Sequence, residues 1–129
     1  MAWVCIVIII ALLEYFAFGI AVARARCRYN CPAPATSGNE MFERYYRVQM
    51  NTLEQLAMFI PAIVLFAWTI DARWAAGLGA VWIVGRFLYF RSYVRDPRTR
   101  AVGFALTALP SLCMLAASLV ALVATVLKG

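Results

Sequence analysis

The sequence predicts an all-α integral membrane protein, a single four-helix bundle over residues 1–129. Three observations carry that prediction: apolar runs long enough to cross a bilayer, few charged residues, and basic residues gathered in two blocks. Apolar residues make up 65% of the 129, charged residues 14%, and the mean hydropathy is +0.81. A soluble domain is about 45–50% apolar, and a chain this short would leave much of the excess facing water. Lipid is the better solvent for it. The basic blocks are short and flanked by lipid-soluble segments, so the net charge of +6 does not point to nucleic acid.

Helices are expected over about residues 2–26, 40–70, 74–93 and 97–127. The first rests on Trp3 to Ala23, apolar except for Glu14 and roughly 30 Å long at the helical rise. Ala21-Val22-Ala23 has the look of a signal-peptidase site. No basic segment precedes the apolar run, however, and arginines follow it at once, so helix 1 is expected to be retained. Pro32, Pro34, Ser37 and Gly38 mark an irregular loop. From Glu40 a helical pattern runs into the apolar stretch Leu56 to Ile70, and a short turn at Asp71-Ala72-Arg73 leads to helix 3. Asp96-Pro97 reads as the start of helix 4, with aspartate as cap and proline at the first position. Pro110 predicts a kink within it.

Ten of the 12 basic residues lie in Arg24 to Arg47 and Arg86 to Arg100. Four spans put both of these segments on one side of the membrane, and the positive-inside rule makes that side cytoplasmic. There is no histidine, and the four-residue separation of Cys27 and Cys31 matches no zinc spacing, so no metal is expected. Cys5 and Cys113 sit in apolar runs, as small packing residues do.

Topology alone does not explain the polar residues that continue into the helices. Arg47, Asn51 and Glu54 form one stripe on helix 2, and Arg86, Tyr89 and Tyr93 form another on helix 3. Facing lipid, such stripes are costly, so each should face the bundle, a partner subunit or a wet cleft. The plainer reading of the first is a self-satisfied hydrogen-bond network, and of Tyr93 an interfacial anchor. Arg100 falls in the first turn of helix 4, where the helix dipole disfavours a cation; it suits an anionic partner better than the helix itself. Together these groups fit a small zwitterion with an excess of carboxylates, arginine forks taking the carboxylates and Glu54 the ammonium group. Glutathione has that pattern, with a thiol that a cation could convert to thiolate.

The segment Phe42-Glu43-Arg44-Tyr45-Tyr46-Arg47-Val48-Gln49-Met50-Asn51-Thr52-Leu53-Glu54 resembles the signature of the MAPEG family, which includes microsomal glutathione transferases and leukotriene-C synthase. Arg86-Phe87-Leu88-Tyr89-Phe90-Arg91-Ser92-Tyr93, followed by Arg100, is similar to that family's helix 3 and the start of its helix 4. The resemblance covers nearly the whole chain. It implies a homotrimer that holds glutathione, as co-substrate, between neighbouring subunits at the cytoplasmic end. On that resemblance Arg26, Arg47, Gln49, Asn51, Glu54, Arg86, Tyr89 and Tyr93 are glutathione contacts, and Arg100 stabilises the thiolate. The second substrate is then a hydrophobic electrophile or a lipid hydroperoxide arriving through the bilayer. Two positions depart from the pattern: Gln55 stands where some members have an aromatic residue, and Cys27 where the leukotriene-forming enzyme has a second arginine. Both favour a general transferase. The compact loops suit a bacterial inner membrane more than an endoplasmic reticulum.

Glu14 opens a rival reading. Small multidrug transporters are four-helix proteins of similar size that exchange protons for cationic drugs on a glutamate in helix 1. That reading leaves the two polar stripes unexplained, and a cation carrier gains nothing from arginines at its site. The plainer role for Glu14 is a carboxylate, protonated or paired, bonding across the bundle; Asn51 and Arg47 are candidate neighbours that the sequence does not decide between. A non-catalytic lipid-binding relative within the same family is the third reading; it would have no need of Arg100 or the helix 2 motif.

Overall fold

The computed structural model describes all 129 residues, as four long helices and one short 3-10 turn. Helix α1 covers Ala2–Arg28, α2 Glu40–Thr69, α3 Ala72–Arg95, and α4 Ala101–Lys128. Helices α1 and α3 run slightly further than expected at their C-termini. The polar last turn of each is held by its capping backbone bond, Tyr29 N–H to the Ala25 carbonyl and Asp96 N–H to the Ser92 carbonyl.

Local chemistry sets the helix starts. The Asn39 side chain accepts from the N–H groups of Met41 and Phe42 at 2.9 and 3.1 Å, which satisfies two of the free donors opening α2. Asp71 does the same for α3, accepting from Arg73 and Trp74 at 2.8 and 2.9 Å. Those two N–H groups hold the Asp71 carboxyl below the usual aspartate range, Trp74 having the larger effect. The capping contribution is therefore present above the ordinary aspartate pKa and is lost as pH falls through the lowered one. Replacing Asp71 with asparagine, which caps without charge, should flatten the acid limb of a thermal-stability profile.

The start of helix 4 differs from expectation. Asp96 caps, but it closes a 3-10 turn over Pro97–Thr99, and the α-helix begins at Ala101. The Thr99 hydroxyl donates to the carbonyls of Asp96 and Ser92, at 2.8 and 3.2 Å, tying this turn back to the end of α3. Arg100 thus becomes the residue before the first turn of α4 rather than a member of it. Pro110 is buried and leaves α4 continuous.

Three helices, α1, α2 and α4, are long and apolar enough to cross a membrane. The 24 residues of α3 give it about 36 Å, also a full span. Its lower hydropathy comes from four arginines: Arg73, Arg91 and Arg95 lie exposed toward its two ends, and Arg86 alone is turned inward, with no exposed surface. Outward-facing residues are large and apolar along every helix, including Ile9, Leu13, Phe16, Val84, Leu112 and Val120. This is the surface of an integral membrane protein, and burial beneath it is modest because lipid does the covering.

α1 and α4 flank a central α2–α3 pair. One half of the bundle holds the larger apolar core, built around Phe59 stacked on Trp82 at 4.3 Å with Val4, Ile63 and Met114. Exposed Trp3, Trp68 and Trp74 mark the end of that half, as aromatic residues do at a bilayer interface. At the opposite end the Arg44 guanidinium, on α2, donates to the Val94 and Arg95 carbonyls at the end of α3, both at 3.1 Å. This bond satisfies helix-terminal acceptors and brings both arginine-rich connections to one end.

Two glycines let α3 and α4 meet. A Cβ on Gly85 would fall 2.8 Å from the Leu106 carbonyl carbon, and one on Gly103 would overlap the Tyr89 backbone. Alanine at Gly103 must push the helices apart, with an expected cost of about 1–3 kcal/mol. The measurement is the thermal midpoint in detergent, which should fall.

Candidate functional site

The two polar stripes meet at the arginine-rich end. Helix α2 places Arg47, Asn51 and Glu54 along one face, and α3 sets Tyr89 and Tyr93 beside them, with ring centroids 5.5 Å apart. The connection into α4 closes the third side with Arg100, whose guanidinium carbon is 5.9 Å from the Tyr93 ring centre. Between them lies an open concavity of about 700 Å³, lined by Arg47, Asn51, Tyr89, Tyr93, Arg100 and Phe104 among others. Its polar surface offers cations, phenols and an amide; its apolar wall is Phe104, 6.4 Å from the Tyr89 ring.

Behind this wall runs a chain of hydrogen bonds. Arg86 donates from Nη1 to the Asn51 side-chain oxygen at 2.8 Å, and Asn51 donates from Nδ2 to Glu54 at 3.3 Å. Arg47 reaches the other Glu54 oxygen at 3.4 Å. Arg86 also lies over the Tyr89 ring, 4.1 Å from its centre, a cation–π contact strengthened by its burial. The self-satisfied network is thus partly real, yet Arg47 and Glu54 remain more than half exposed in their side chains.

The expected site residues separate into groups. Arg47, Asn51, Tyr89, Tyr93 and Arg100 line the concavity. Glu54 adjoins it through Asn51 and Arg47, and Arg86 is buried behind Asn51 and Tyr89 rather than open to it. Arg26 and Gln49 are elsewhere. Arg26 donates to the Cys31 and Ala35 carbonyls and sits 4.8 Å from the Phe42 ring, pinning the loop after α1. Gln49 lies against Gly19 of α1. The physical reason is angular: two residues along a helix from Arg47 is roughly the opposite face. Phe104 was not anticipated. It is one turn beyond Arg100, and that spacing was the available signal.

Glu14 also differs from expectation. It makes no hydrogen bond to Asn51 or Arg47, and the charged group that bears on it is Arg86, across the α1–α3 contact. The four cysteines are all free thiols, with Cys31 buried and Cys27 exposed.

A helical membrane bundle with a cationic, tyrosine-walled pocket at its basic end is the class of protein this architecture defines. The MAPEG family profile matches residues 2–120, and the chain belongs to the MAPEG family. An uncharacterised protein of Synechocystis, sll1147, is 46% identical over 120 residues, covering 93% of this chain and 88% of that one. Human microsomal glutathione S-transferase 2 is 37% identical over 90 residues, 70% of this chain and 61% of the human protein. Guinea-pig leukotriene C4 synthase is 32% identical over 83 residues, 64% of this chain and 55% of that enzyme. The chain therefore aligns with somewhat under two thirds of the length of each of these two named enzymes.

Proposed function

We propose that this protein is a membrane-bound glutathione transferase, which activates glutathione as thiolate and conjugates it to hydrophobic electrophiles. The observation that carries the reading is the convergence of Arg47 and Arg100 with Tyr89 and Tyr93 on one open pocket at the basic end. Arginine forks at Arg47 and Arg100 suit the carboxylates and the sulfur anion. Glu54 is the acceptor for the ammonium group, and the two phenols are neutral donors. The names of the relatives support the same chemistry.

A free thiol has a pKa near 8.5 and a cation beside it lowers that value, so Arg100 favours loss of the thiol proton to solvent. The thiolate then forms a carbon–sulfur bond while the electrophile expels its leaving group or passes its electron pair to a conjugated acceptor that solvent protonates. A lipid hydroperoxide is an alternative acceptor: the thiolate takes its outer oxygen, alcohol departs after protonation, and a second glutathione converts the sulfenic acid to disulfide and water. The electrophile reaches the pocket from the lipid side, past Phe104.

Arg47 and Glu54 are exposed on a helix that continues into the bilayer, and charge facing lipid is costly. A neighbouring subunit would cover them, and Arg26 and Gln49, which lie away from the pocket of their own chain, would be that neighbour's contribution to the glutathione site. A homotrimer is the assembly we infer. Native mass spectrometry of the detergent-extracted protein should give three 14.4 kDa chains; a monomer that conjugates would refute this arrangement. The arginine-rich end is taken as cytoplasmic, in a bacterial inner membrane. The rival transporter reading is weakened by Arg86, a buried cation facing Glu14 where a cationic drug would have to bind.

The test is conjugation by the purified protein of two electrophiles of equal reactivity, one hydrophobic and one water-soluble. Glutathione-dependent turnover, faster with the hydrophobic one, is expected. No conjugation of either removes the transferase reading. Proton-coupled dye uptake abolished by Glu14→Gln would put the transporter in its place.

A further inference from the structure

Helices α1 and α3 are in a register that the functional reading does not use. Val7 meets the position of Gly79, where an added Cβ would lie 2.5 Å from the Val7 methyl carbon, and Phe18 stacks on Phe90 at 4.8 Å with an interplanar angle of 4°. Both pairs are 72 residues apart, and so are Glu14 and Arg86, which lie between them on the same helix faces. The two ionisable groups therefore oppose each other inside the bundle. Glu14 Oε1 and Arg86 Nε and Nη2 are all buried and have no hydrogen-bond partner, while the remaining Arg86 nitrogen, Nη1, is committed to Asn51.

Stability does not account for such a pair. Desolvating two charges offsets most of their attraction, and an apolar pair of similar volume in the same place is commonly as stable or more so. What an apolar pair lacks is the donor. Arg86 Nη1 occupies the Asn51 oxygen, and this leaves the Asn51 amide only one useful orientation, with Nδ2 directed at Glu54 on the pocket side. An uncompensated Arg86 would be drawn toward the Glu54 carboxylate, one hydrogen bond further along the same chain.

We propose that Glu14 is a positioning residue for glutathione. Its charge bears on Arg86 from the α1 side without a direct ion pair, and through Arg86 it fixes the Asn51 amide and keeps the Glu54 carboxylate on the pocket side, where the substrate's ammonium group can reach it. This rests on the glutathione reading above. Glu14 itself touches no substrate. Arg100, on the opposite wall, does not depend on it, so the effect falls on binding rather than on the chemical step.

The experiment compares glutathione affinity by equilibrium dialysis, and KM and kcat for conjugation, in wild type, Glu14→Gln, Glu14→Asp and the double variant Glu14→Leu with Arg86→Met. Glu14→Gln should raise Kd and KM for glutathione about tenfold, the worth of a hydrogen bond of roughly 1.4 kcal/mol, while kcat stays near wild type. Glu14→Asp should recover part of the loss, since it restores the charge on a shorter arm. The double variant, which leaves no uncompensated buried charge, should stay folded yet bind glutathione as weakly as Glu14→Gln, and it carries the test even if that single variant does not fold. A double variant with wild-type affinity would make the pair merely structural and overturn the proposal, as would wild-type affinity in Glu14→Gln. Wild type that binds no glutathione overturns the functional reading instead, which separates the two failures.

Discussion

Replacing Arg100 with alanine is expected to lower kcat for conjugation by about 10²–10³-fold, the usual cost of removing a group aimed at a developing or bound anion. Glutathione affinity should fall far less, because Arg47 and both tyrosines remain around the same pocket. The asymmetry follows from location. Arg100 sits at the mouth of the pocket, just before α4, where the helix dipole gives it nothing in return. On the proposed reading its use is to an anion. The pH dependence carries the sign: without the cation, the bound thiol returns toward its ordinary pKa, so the rise of kcat with pH moves to more alkaline values. Arg100→Lys, which keeps the charge but loses the planar fork, should lie between the two. A profile for Arg100→Ala that rises at the wild-type pH would mean that another group makes the thiolate.

The second large effect is expected at Asn51. Changing it to leucine leaves Arg86 fully buried with no hydrogen bond, since its single side-chain acceptor in the fold is the Asn51 oxygen. Leaving a buried donor without its acceptor costs about 1–3 kcal/mol, more when the donor is charged, and it should appear as a drop in thermal midpoint together with loss of glutathione binding. Asn51→Asp separates the two consequences. The aspartate still accepts from Arg86 and supplies a counter-charge, so the fold should hold. It cannot donate to Glu54, however, and it adds a negative charge beside the substrate's carboxylates. Stability kept with binding lost is the expected outcome, read by thermal denaturation and equilibrium dialysis on the same sample. If Asn51→Asp bound glutathione as wild type does, the amide would have no part in recognition.

Much of this was legible along the chain because it depends on helical spacing. Arg47, Asn51 and Glu54 at intervals of four and three share a face whatever surrounds them, and so do Arg86, Tyr89 and Tyr93. The structure brings these two faces together. The position of Gln49 was equally legible: two residues from Arg47 and from Asn51, it has to point away from both. The family resemblance groups it with them, and helix geometry separates it. Arg26 differs, because its orientation depends on a loop whose carbonyls it binds, and no periodicity predicts that.

The partner of Glu14 could not be read in the same way. Local pattern identifies which residues face inward, but the offset between two helices is set by packing at particular pairs, here Val7 against Gly79 and Phe18 on Phe90. The start of α4 shows another limit. Asp96-Pro97 has the composition of a helix cap, yet Thr99 bonds back to Ser92 and Asp96 and stabilises a tighter turn first. That shift places Arg100 outside the helix, at the pocket's edge. Phe104 carries no comparable signal, because a phenylalanine in an apolar helix looks like any lipid-facing residue until Tyr89 is placed beside it.

The proposed chemistry requires the pocket at the basic end to bind glutathione and hold it as thiolate. Its most direct test is the near-ultraviolet difference spectrum of the detergent-purified protein on adding glutathione at neutral pH. A saturable thiolate absorbance is predicted in wild type, lost in Arg100→Ala while dialysis still detects bound glutathione. No saturable binding, or binding with no thiolate absorbance in wild type, would contradict it.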